Sequence, residues 1–195
     1  VRPAVFRKRR RDPRVKLLAR VVSKLEQMGM PCALIGGVAL AFHGIDRSTE
    51  DIDLLVTDPA ILDASVWEDL CSEGISVGVT NGDADDPLHG VVRIDSTEVI
   101  DIVVPRGRWQ GDVLARRLER VILGERIPVV DAADLILLKV DAGGLIDLID
   151  VELLIRHDPS LRAIVEARLE QLPRRMKAAW KEFLPRLGTA PRTPA

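Results

Sequence analysis

Two short stretches of sequence indicate the fold of this chain: LIGGVAL at residues 34–40 and RSTEDIDLLV at residues 47–56. The first stretch predicts a buried strand that passes into a short helix through Gly36 and Gly37. Adjacent glycines at such a junction allow backbone N–H groups to approach a phosphate group. Because the third glycine of a dinucleotide-binding loop is missing, the pattern argues against that class of nucleotide site.

The second stretch places two carboxylates, Asp51 and Asp53, on one face of a predicted strand. Residues i and i+2 of a strand share a face and lie ~6–7 Å apart, so both side chains can converge on one cation. Facing carboxylates repel each other unless a cation neutralises them, and this favours a metal site. An edge strand with an acidic, solvent-facing side is the alternative.

A third acid, Asp101, interrupts the apolar run VIDIVV at residues 99–104. A lone carboxyl group in an apolar strand is costly to bury without a partner. If this strand lies beside residues 51–56, the three aspartates form a cluster for two Mg²⁺ ions. Two such ions stabilise the attacking and leaving oxygens of a phosphoryl displacement.

The formal net charge of −2 over 195 residues averages over oppositely charged segments. Residues 1–20 carry nine basic side chains against Asp12, whereas residues 46–101 carry fifteen acidic side chains against Arg47 and Arg93. Such a distribution suits a cation-binding centre between flanks that bind a polyanion; ordinary solvated surface charge is the alternative. The low aromatic content of 3% argues against RNA modules that stack bases on aromatic side chains.

Alternating strands and helices predict an α/β (α+β) core with a helical C-terminal part. A helix is expected from Asp12 to about Gly29 and another from Pro59 to about Glu73, whereas the stretch before residue 127 is predicted only as a mixed segment. The expected organisation is a disordered basic arm at residues 1–11, the core at 12–130, the helical part at 131–185 and a disordered tail at 186–195.

The sequence also predicts where the protein resides. No apolar run approaches the ~20 residues of a membrane span, and no apolar segment of a secretory signal follows the basic N-terminus. Cys32 and Cys71 lie in no metal or redox spacing, which is typical of reduced thiols. We therefore expect a cytoplasmic protein without membrane segments.

Taken together, the motifs resemble the nucleotidyltransferase superfamily of polymerase-beta-like folds, and most of all its AbiEii-type toxin branch. The resemblance rests on Gly-Gly, a short helix, Arg-Ser-x-x-Asp-Ile-Asp-Leu and a later strand aspartate. A second match is the run DLILLKVDAGGLIDLIDV at residues 134–151. The resemblance covers most of residues 31–155 and implies a mixed sheet flanked by helices.

The resemblance also implies roles for individual residues. The phosphates of an NTP would be bound by Gly36, Gly37, Arg47, Ser48 and Lys139, and Mg²⁺ by Asp51, Asp53 and Asp101. Asp101 would also help to activate the acceptor hydroxyl, while Asp147 and Asp150 would orient Lys139 or cap a helix. Two positions depart from the pattern: Gly37 stands where many relatives have Ser, and Ile146 stands where many have a polar residue.

The function that follows is Mg²⁺-dependent transfer of a nucleoside monophosphate from an NTP to an acceptor hydroxyl, with release of pyrophosphate. The basic flanks favour RNA, and tRNA in particular, as the acceptor. The toxin branch implies a cognate antitoxin as a further partner. Three alternatives stay open: a small-molecule enzyme of the antibiotic-modifying kind, an enzyme that modifies a protein, and a non-catalytic nucleotide-binding or antitoxin module.

Overall fold

The computed structural model describes residues 13–46, 51–96 and 98–187. The chain divides into two compact units, residues 1–131 and residues 132–195. The predicted basic arm, Arg47 and Ser48 lie outside the described residues, as does the predicted tail from residue 188 onwards.

The first unit contains a mixed sheet and four α-helices within the described residues. The strands are β1 (Cys32–Ile35), β2 (Ile52–Val56), β3 (Ser76–Asn81), β4 (Leu88–Asp95), β5 (Val99–Pro105), β6 (Leu118–Ile122) and β7 (Glu125–Val129). The helices are α1 (Pro13–Gln27), α2 (Gly36–Phe42), α3 (Glu68–Ser72) and α4 (Gln110–Ala115). The expected mixed α/β architecture is thereby confirmed.

The seven strands form one sheet in the order β3-β4-β5-β2-β1-β7-β6. β2 runs parallel to β5 and antiparallel to β1, and β1 runs parallel to β7. The remaining neighbours, β3–β4, β4–β5 and β6–β7, are antiparallel. The order brings the two predicted aspartate-bearing strands, β2 and β5, side by side near the middle of the sheet.

The alternation of residues along β2 and β5 decides which sheet face is the core. On one face, Ile52, Leu54, Ile100 and Ile102 are each at most 3% exposed. The opposite face of the same two strands carries Asp53 and Asp101, because successive side chains point to opposite sides. Asp53 and Asp101 thus lie on the face opposite Ile52, Leu54, Ile100 and Ile102.

Helix α1 is as predicted. Its apolar stripe of Leu18, Val21, Val22 and Leu25 is at most 2% exposed, which is the burial that the helical spacing indicates. Gly29 has a φ of +72° just after the helix, a conformation that favours glycine and ends the helix there.

The expected helix from Pro59 to Glu73 is wrong. The structure has 3₁₀ turns at Pro59–Leu62 and Ala64–Trp67, followed by α3. The side chains of Asp58 and Asp63 each accept a hydrogen bond, at 2.9 Å, from the backbone N–H two residues further on. Asp63 ends the first 3₁₀ turn and caps the second one. The expected continuous helix is therefore interrupted at Asp63, because such local hydrogen bonds compete with helical ones.

The mixed segment before β7 contains α4 and β6, neither of which was predicted. β6 and β7 form a hairpin whose turn includes Leu123, at φ +52°, and Gly124, at φ +99°. Leu-Gly is a weak turn signal compared with Asn-Gly or Asp-Gly, so the pattern did not reveal the strand.

The second unit is helical, with α5 (Ala132–Ala142), α6 (Leu145–His157), α7 (Leu161–Leu169) and α8 (Arg174–Leu187). Helix α5 packs against α6, α7 and α8. Helix α8 extends through Leu187, two residues into the segment expected as a tail. None of the helices in the described parts of the chain combines the length and apolar character that crossing a bilayer requires.

Candidate active site

A row of cross-strand partners across the sheet brings the candidate residues together. Asp53 on β2 is paired with Ile35 on β1 and with Asp101 on β5, and Asp101 is paired with Arg93 on β4. Directly paired residues point to the same face of a sheet. The side chains of Asp53, Asp101 and Arg93 therefore share one face of the sheet.

Gly36 lies directly against Asp53. It follows Ile35 at the junction of β1 and α2 and has a φ of +63°. A Cβ atom placed on Gly36 would lie 1.9 Å from Asp53 Oδ2 and 2.9 Å from its Cγ. Only a glycine fits here, because any side chain would overlap the carboxylate and the backbone conformation itself favours glycine. The glycine motif and the first acidic motif thus form one contiguous site.

The carboxylate of Asp101 is partly buried and interacts with charges on both sides. Arg93 Nη1 lies 2.9 Å from Asp101 Oδ2 and 3.3 Å from Oδ1. Burial raises the pKa of Asp101 above its ordinary value, Arg93 opposes this shift, and the negative charge of Asp51 adds to it. Asp51 is therefore close enough to act on Asp101 electrostatically, as the sequence pattern predicted.

The donor chemistry of these three aspartates fits Mg²⁺, which prefers oxygen ligands and is commonly bound through one or two carboxylates. Asp53 and Asp101 are paired in register, and Asp51 acts on Asp101 through its charge. In the part of the chain that the structure describes, no group of three or more His, Cys, Asp or Glu side chains is arranged to hold a metal ion. The metal role of the aspartates stays a prediction.

Lys139 belongs to the helical unit and lies on α5. Its side chain is 6% exposed, and its Nζ atom is 2.9 Å from Asp147 Oδ1 and 2.7 Å from Asp150 Oδ2, both on α6. Asp147 and Asp150 thus contact Lys139, in line with the orienting role that the resemblance implied. The binding of nucleotide phosphates by Lys139 stays a prediction.

The structure places the other predicted residues as follows. Gly37 is buried in the first turn of α2, and Arg47 and Ser48 lie outside the described residues. Arg93, which contacts Asp101, was not predicted as a site residue. The contact follows from the register of β4 against β5, which pairs Asp95 with Val99 and Arg93 with Asp101, and the sequence pattern did not predict that register.

The arrangement combines the groups that phosphoryl transfer requires. Carboxylate oxygens suit a divalent cation, and a glycine junction beside them gives phosphate oxygens access to backbone N–H groups. Catalysis of such reactions depends mainly on positioning and on charge stabilisation, and the fixed cross-strand register supplies the positioning.

Comparisons with known proteins agree with this geometry. Over residues 16–194 the chain matches the family model described as nucleotidyl transferase AbiEii toxin of a type IV toxin–antitoxin system. No curated protein gives a significant match to the chain.

Solved structures share the fold at low sequence identity. The crystal structure of ANT(2")-Ia in complex with adenylyl-2"-tobramycin is 14% identical, with a TM-score of 0.54 over 82% of this chain and 99% of that chain. A solution structure of the antibiotic-resistance factor ANT(2'')-Ia is 16% identical, with a TM-score of 0.50 over 82% of this chain and 94% of that chain.

A third structure, of an antigenic nucleotidyltransferase-like protein from Paracoccidioides brasiliensis, is 16% identical, with a TM-score of 0.50 over 85% of this chain and 91% of that chain. The family match extends over nearly the whole chain, including the glycine junction and all three aspartates. The chain therefore belongs to the AbiEii family of nucleotidyltransferases, the toxins of type IV toxin–antitoxin systems.

Proposed function

We propose that this enzyme transfers a nucleoside monophosphate from an NTP to a hydroxyl group of an RNA acceptor, tRNA in particular, in a Mg²⁺-dependent reaction that releases pyrophosphate. In this proposal it acts in the cytoplasm as the toxin of a toxin–antitoxin pair, with a cognate antitoxin as partner. The observation that carries the proposal is the contact of Gly36 with Asp53, in register with Asp101.

Each group has a role in the proposed reaction. Gly36 and Gly37 hold the triphosphate of the NTP, with Arg47, Ser48 and Lys139 as further phosphate-binding residues. Asp51, Asp53 and Asp101 hold the metal, and Asp101 helps to remove the proton of the acceptor hydroxyl as its oxygen attacks the α-phosphorus. When bound, Mg²⁺ supplies positive charge that neutralises the negative charge on the phosphate oxygens.

The proposed RNA acceptor is supported by charge. Basic residues concentrate in segments 1–20, 106–126 and 162–186, on either side of the acidic stretch 46–101. Contacts from such segments to phosphates are independent of base sequence and sensitive to salt. A small-molecule acceptor is the alternative. The structure of ANT(2")-Ia, solved in complex with adenylyl-2"-tobramycin, shares the fold of this chain over 99% of its own length at a TM-score of 0.54.

Transfer of label from NTPs tests the proposal. The full chain is incubated with Mg²⁺, each α-³²P-labelled NTP in turn and total RNA, purified tRNA, an aminoglycoside or a protein extract. We expect label on tRNA with at least one NTP, and loss of transfer by a factor of about 10³ or more in Asp51→Asn, Asp53→Asn and Asp101→Asn, because each removes a charge on which positioning depends.

The matched control is Asp112→Asn, which removes an exposed carboxylate on α4 and is expected to keep full activity. Transfer that survives Asp53→Asn contradicts the assigned site. Label on the aminoglycoside or on protein but not on RNA shows the same chemistry with another acceptor, and contradicts the proposed substrate.

A further inference from the structure

Arg93 on β4 lies directly opposite Asp101 on β5 and forms an ion pair with it. The contact is made through one guanidinium nitrogen, Nη1, which is 2.9 Å from Oδ2 and 3.3 Å from Oδ1. The Arg93 side chain is 53% exposed, whereas the Asp101 side chain is 18% exposed. The guanidinium is thus the solvent-exposed partner of a carboxylate that is itself largely buried.

Arg93 lies within a strongly acidic part of the sequence. Between residues 51 and 101, Arg93 is the single Lys or Arg against thirteen acidic residues. The hairpin register aligns it with Asp101 and with the row that contains Asp53. Its charge therefore acts most directly on Asp101, with which it forms the ion pair, because Coulomb energy falls with distance.

A guanidinium at this position competes with a metal ion for Asp101. Both are cations, so a metal ion held by the Asp101 carboxylate would repel the guanidinium. The Arg93 side chain is 53% exposed, so water can solvate the guanidinium when it leaves, and the carboxylate can exchange it for a cation of twice the charge. Strands β5 and β2 lie between Arg93 and the strand that leads into Gly36, so this exchange takes place on the side away from the glycines.

We propose that Arg93 is the counter-cation of Asp101 in the metal-free protein and that it sets the metal affinity of the site; this inference rests on the proposed function. Arg93 is a positioning residue, because it acts on the metal site through Asp101. It holds the carboxylate on the site face until a metal ion replaces it, and its charge keeps the affinity for that ion lower than three aspartates alone would give.

Metal binding without substrate tests this role. The full chain is titrated with Mn²⁺ alone at constant ionic strength, and free Mn²⁺ is measured by electron paramagnetic resonance. We expect Arg93→Met and Arg93→Gln to lower the dissociation constant roughly tenfold, because a nearby positive charge is removed. Arg93→Lys keeps the charge and is expected to bind Mn²⁺ like the wild type.

Two further variants separate this inference from the proposed function. Arg126→Met removes the same charge from an exposed position on β7 and is expected to leave the affinity unchanged. Asp53→Asn is expected to abolish the binding. If the wild type binds no Mn²⁺, or if binding survives Asp53→Asn, both the metal site and the role of Arg93 are wrong.

If binding depends on Asp53 but both neutral Arg93 variants bind no tighter than the wild type, the metal site stands and the role of Arg93 is refuted. That role is also refuted if Arg126→Met strengthens binding as much as Arg93→Met does, since the effect is then one of overall charge. Melting temperatures of all variants without metal confirm that each protein is folded during the titration.

Discussion

At the scale of single residues, Gly36 is the position where the structure makes the strictest demand. Its φ is +63°, and the Asp53 carboxylate occupies the place of a Cβ atom. We expect Gly36→Ala to reduce transfer activity by a factor of about 100 or more, because a displacement of about 1 Å at reacting groups costs that much. Transfer assays measure the loss of activity, and urea denaturation of the same preparations measures any change in the free energy of unfolding.

Gly74 provides the matched control for Gly36. It has a φ of +83°, and nothing lies within 4 Å of the Cβ atom that a substitution would add. Gly74→Ala introduces only the strain of a left-handed conformation, about 1–2 kcal/mol of unfolding free energy, and is expected to keep its activity. If Gly36→Ala behaves like Gly74→Ala in both assays, the close contact with Asp53 has no functional meaning.

His43 makes the stability of the first unit depend on pH. Burial lowers the pKa of His43, although its hydrogen bond to the Val130 carbonyl, 2.8 Å from Nε2, favours the protonated form. Below about pH 6.5 the unfolded chain therefore binds more protons at this residue than the folded protein does. The stabilisation is complete above that pH and is lost progressively as the pH falls towards the folded pKa.

This pH dependence is measured by urea denaturation of the wild type and His43→Gln at pH 5.5 and pH 7.5. We expect the free energy of unfolding to rise more between these pH values in the wild type than in the variant. Equal rises in the two proteins would show that protonation of His43 is not linked to folding.

The sequence pattern singled out candidate residues but did not reveal the contacts between them. Asp51, Asp53 and Asp101 were identified because a carboxylate interrupts an apolar alternation, and such a signal is local. The contact between Gly36 and Asp53 depends on the antiparallel pairing of β1 with β2, and the contact of Arg93 depends on the β4–β5 register. Such non-local pairings leave no trace in a local pattern.

At the scale of elements, the ion cluster of Lys139, Asp147 and Asp150 joins α5 to α6. Lys139 and Asp150 are 6% and 1% exposed at their side chains, so neither charge is screened by water. We expect Lys139→Met to lower the free energy of unfolding by about 3–5 kcal/mol, since it removes the cation that both carboxylates contact and breaking a buried ion pair is costly. Chemical denaturation measures the loss.

An exposed pair in the same unit is the control for this cluster. Arg162 and Glu166 on α7 form an ion pair at 2.9 Å with side chains 51% and 44% exposed, and Arg162→Met is expected to cost less than about 1 kcal/mol. Adding Asp147→Asn and Asp150→Asn to Lys139→Met should recover much of the lost stability. A loss in Lys139→Met no larger than in Arg162→Met would show that the cluster does not stabilise the helices.

Elements with strong periodicity were predictable and those governed by turns were not. The apolar stripe of α1 and the alternation in β5 each bury one face, which gives a clear signal. The stretch from Pro59 to Glu73 has a helical stripe as well, and its Ile61, Trp67 and Leu70 are indeed buried. The cap of Asp63 interrupts the helix but leaves these side chains buried, so hydrophobic spacing alone predicted the wrong element.

At the scale of the whole molecule, charge determines what the proposed RNA acceptor can contact. Several basic side chains of the described residues are already engaged: Arg20 pairs with Glu73, Lys24 with Asp69, and Arg106 donates to the backbone carbonyl groups of Gly82, Asp83 and Asp86. We therefore expect the run RKRRR at residues 7–11 to supply many of the contacts to RNA phosphates.

Replacing the five residues of this run by Gln is expected to raise the KM for tRNA and to make it less sensitive to salt, because fewer counterions are released on binding. The kcat at saturating tRNA should change little, since the aspartates are untouched. Initial rates between about 50 and 200 mM KCl measure both effects. An unchanged KM and salt dependence would contradict a role of this run in acceptor binding.

The row of partners from Ile35 through Asp53 to Asp101 also has a consequence for the synthesis of the protein. Asp53 and Asp101 meet only when β5 pairs with β2, and β3 and β4 lie between these two strands in the chain. Forming a non-local pairing of this kind is slow, because closing the loop between the strands costs entropy before the contacts are gained. During synthesis, the two carboxylates cannot come together until β5, which ends at Pro105, has emerged from the ribosome. Every nascent chain in which β5 has not emerged therefore lacks the pairing of Asp53 with Asp101.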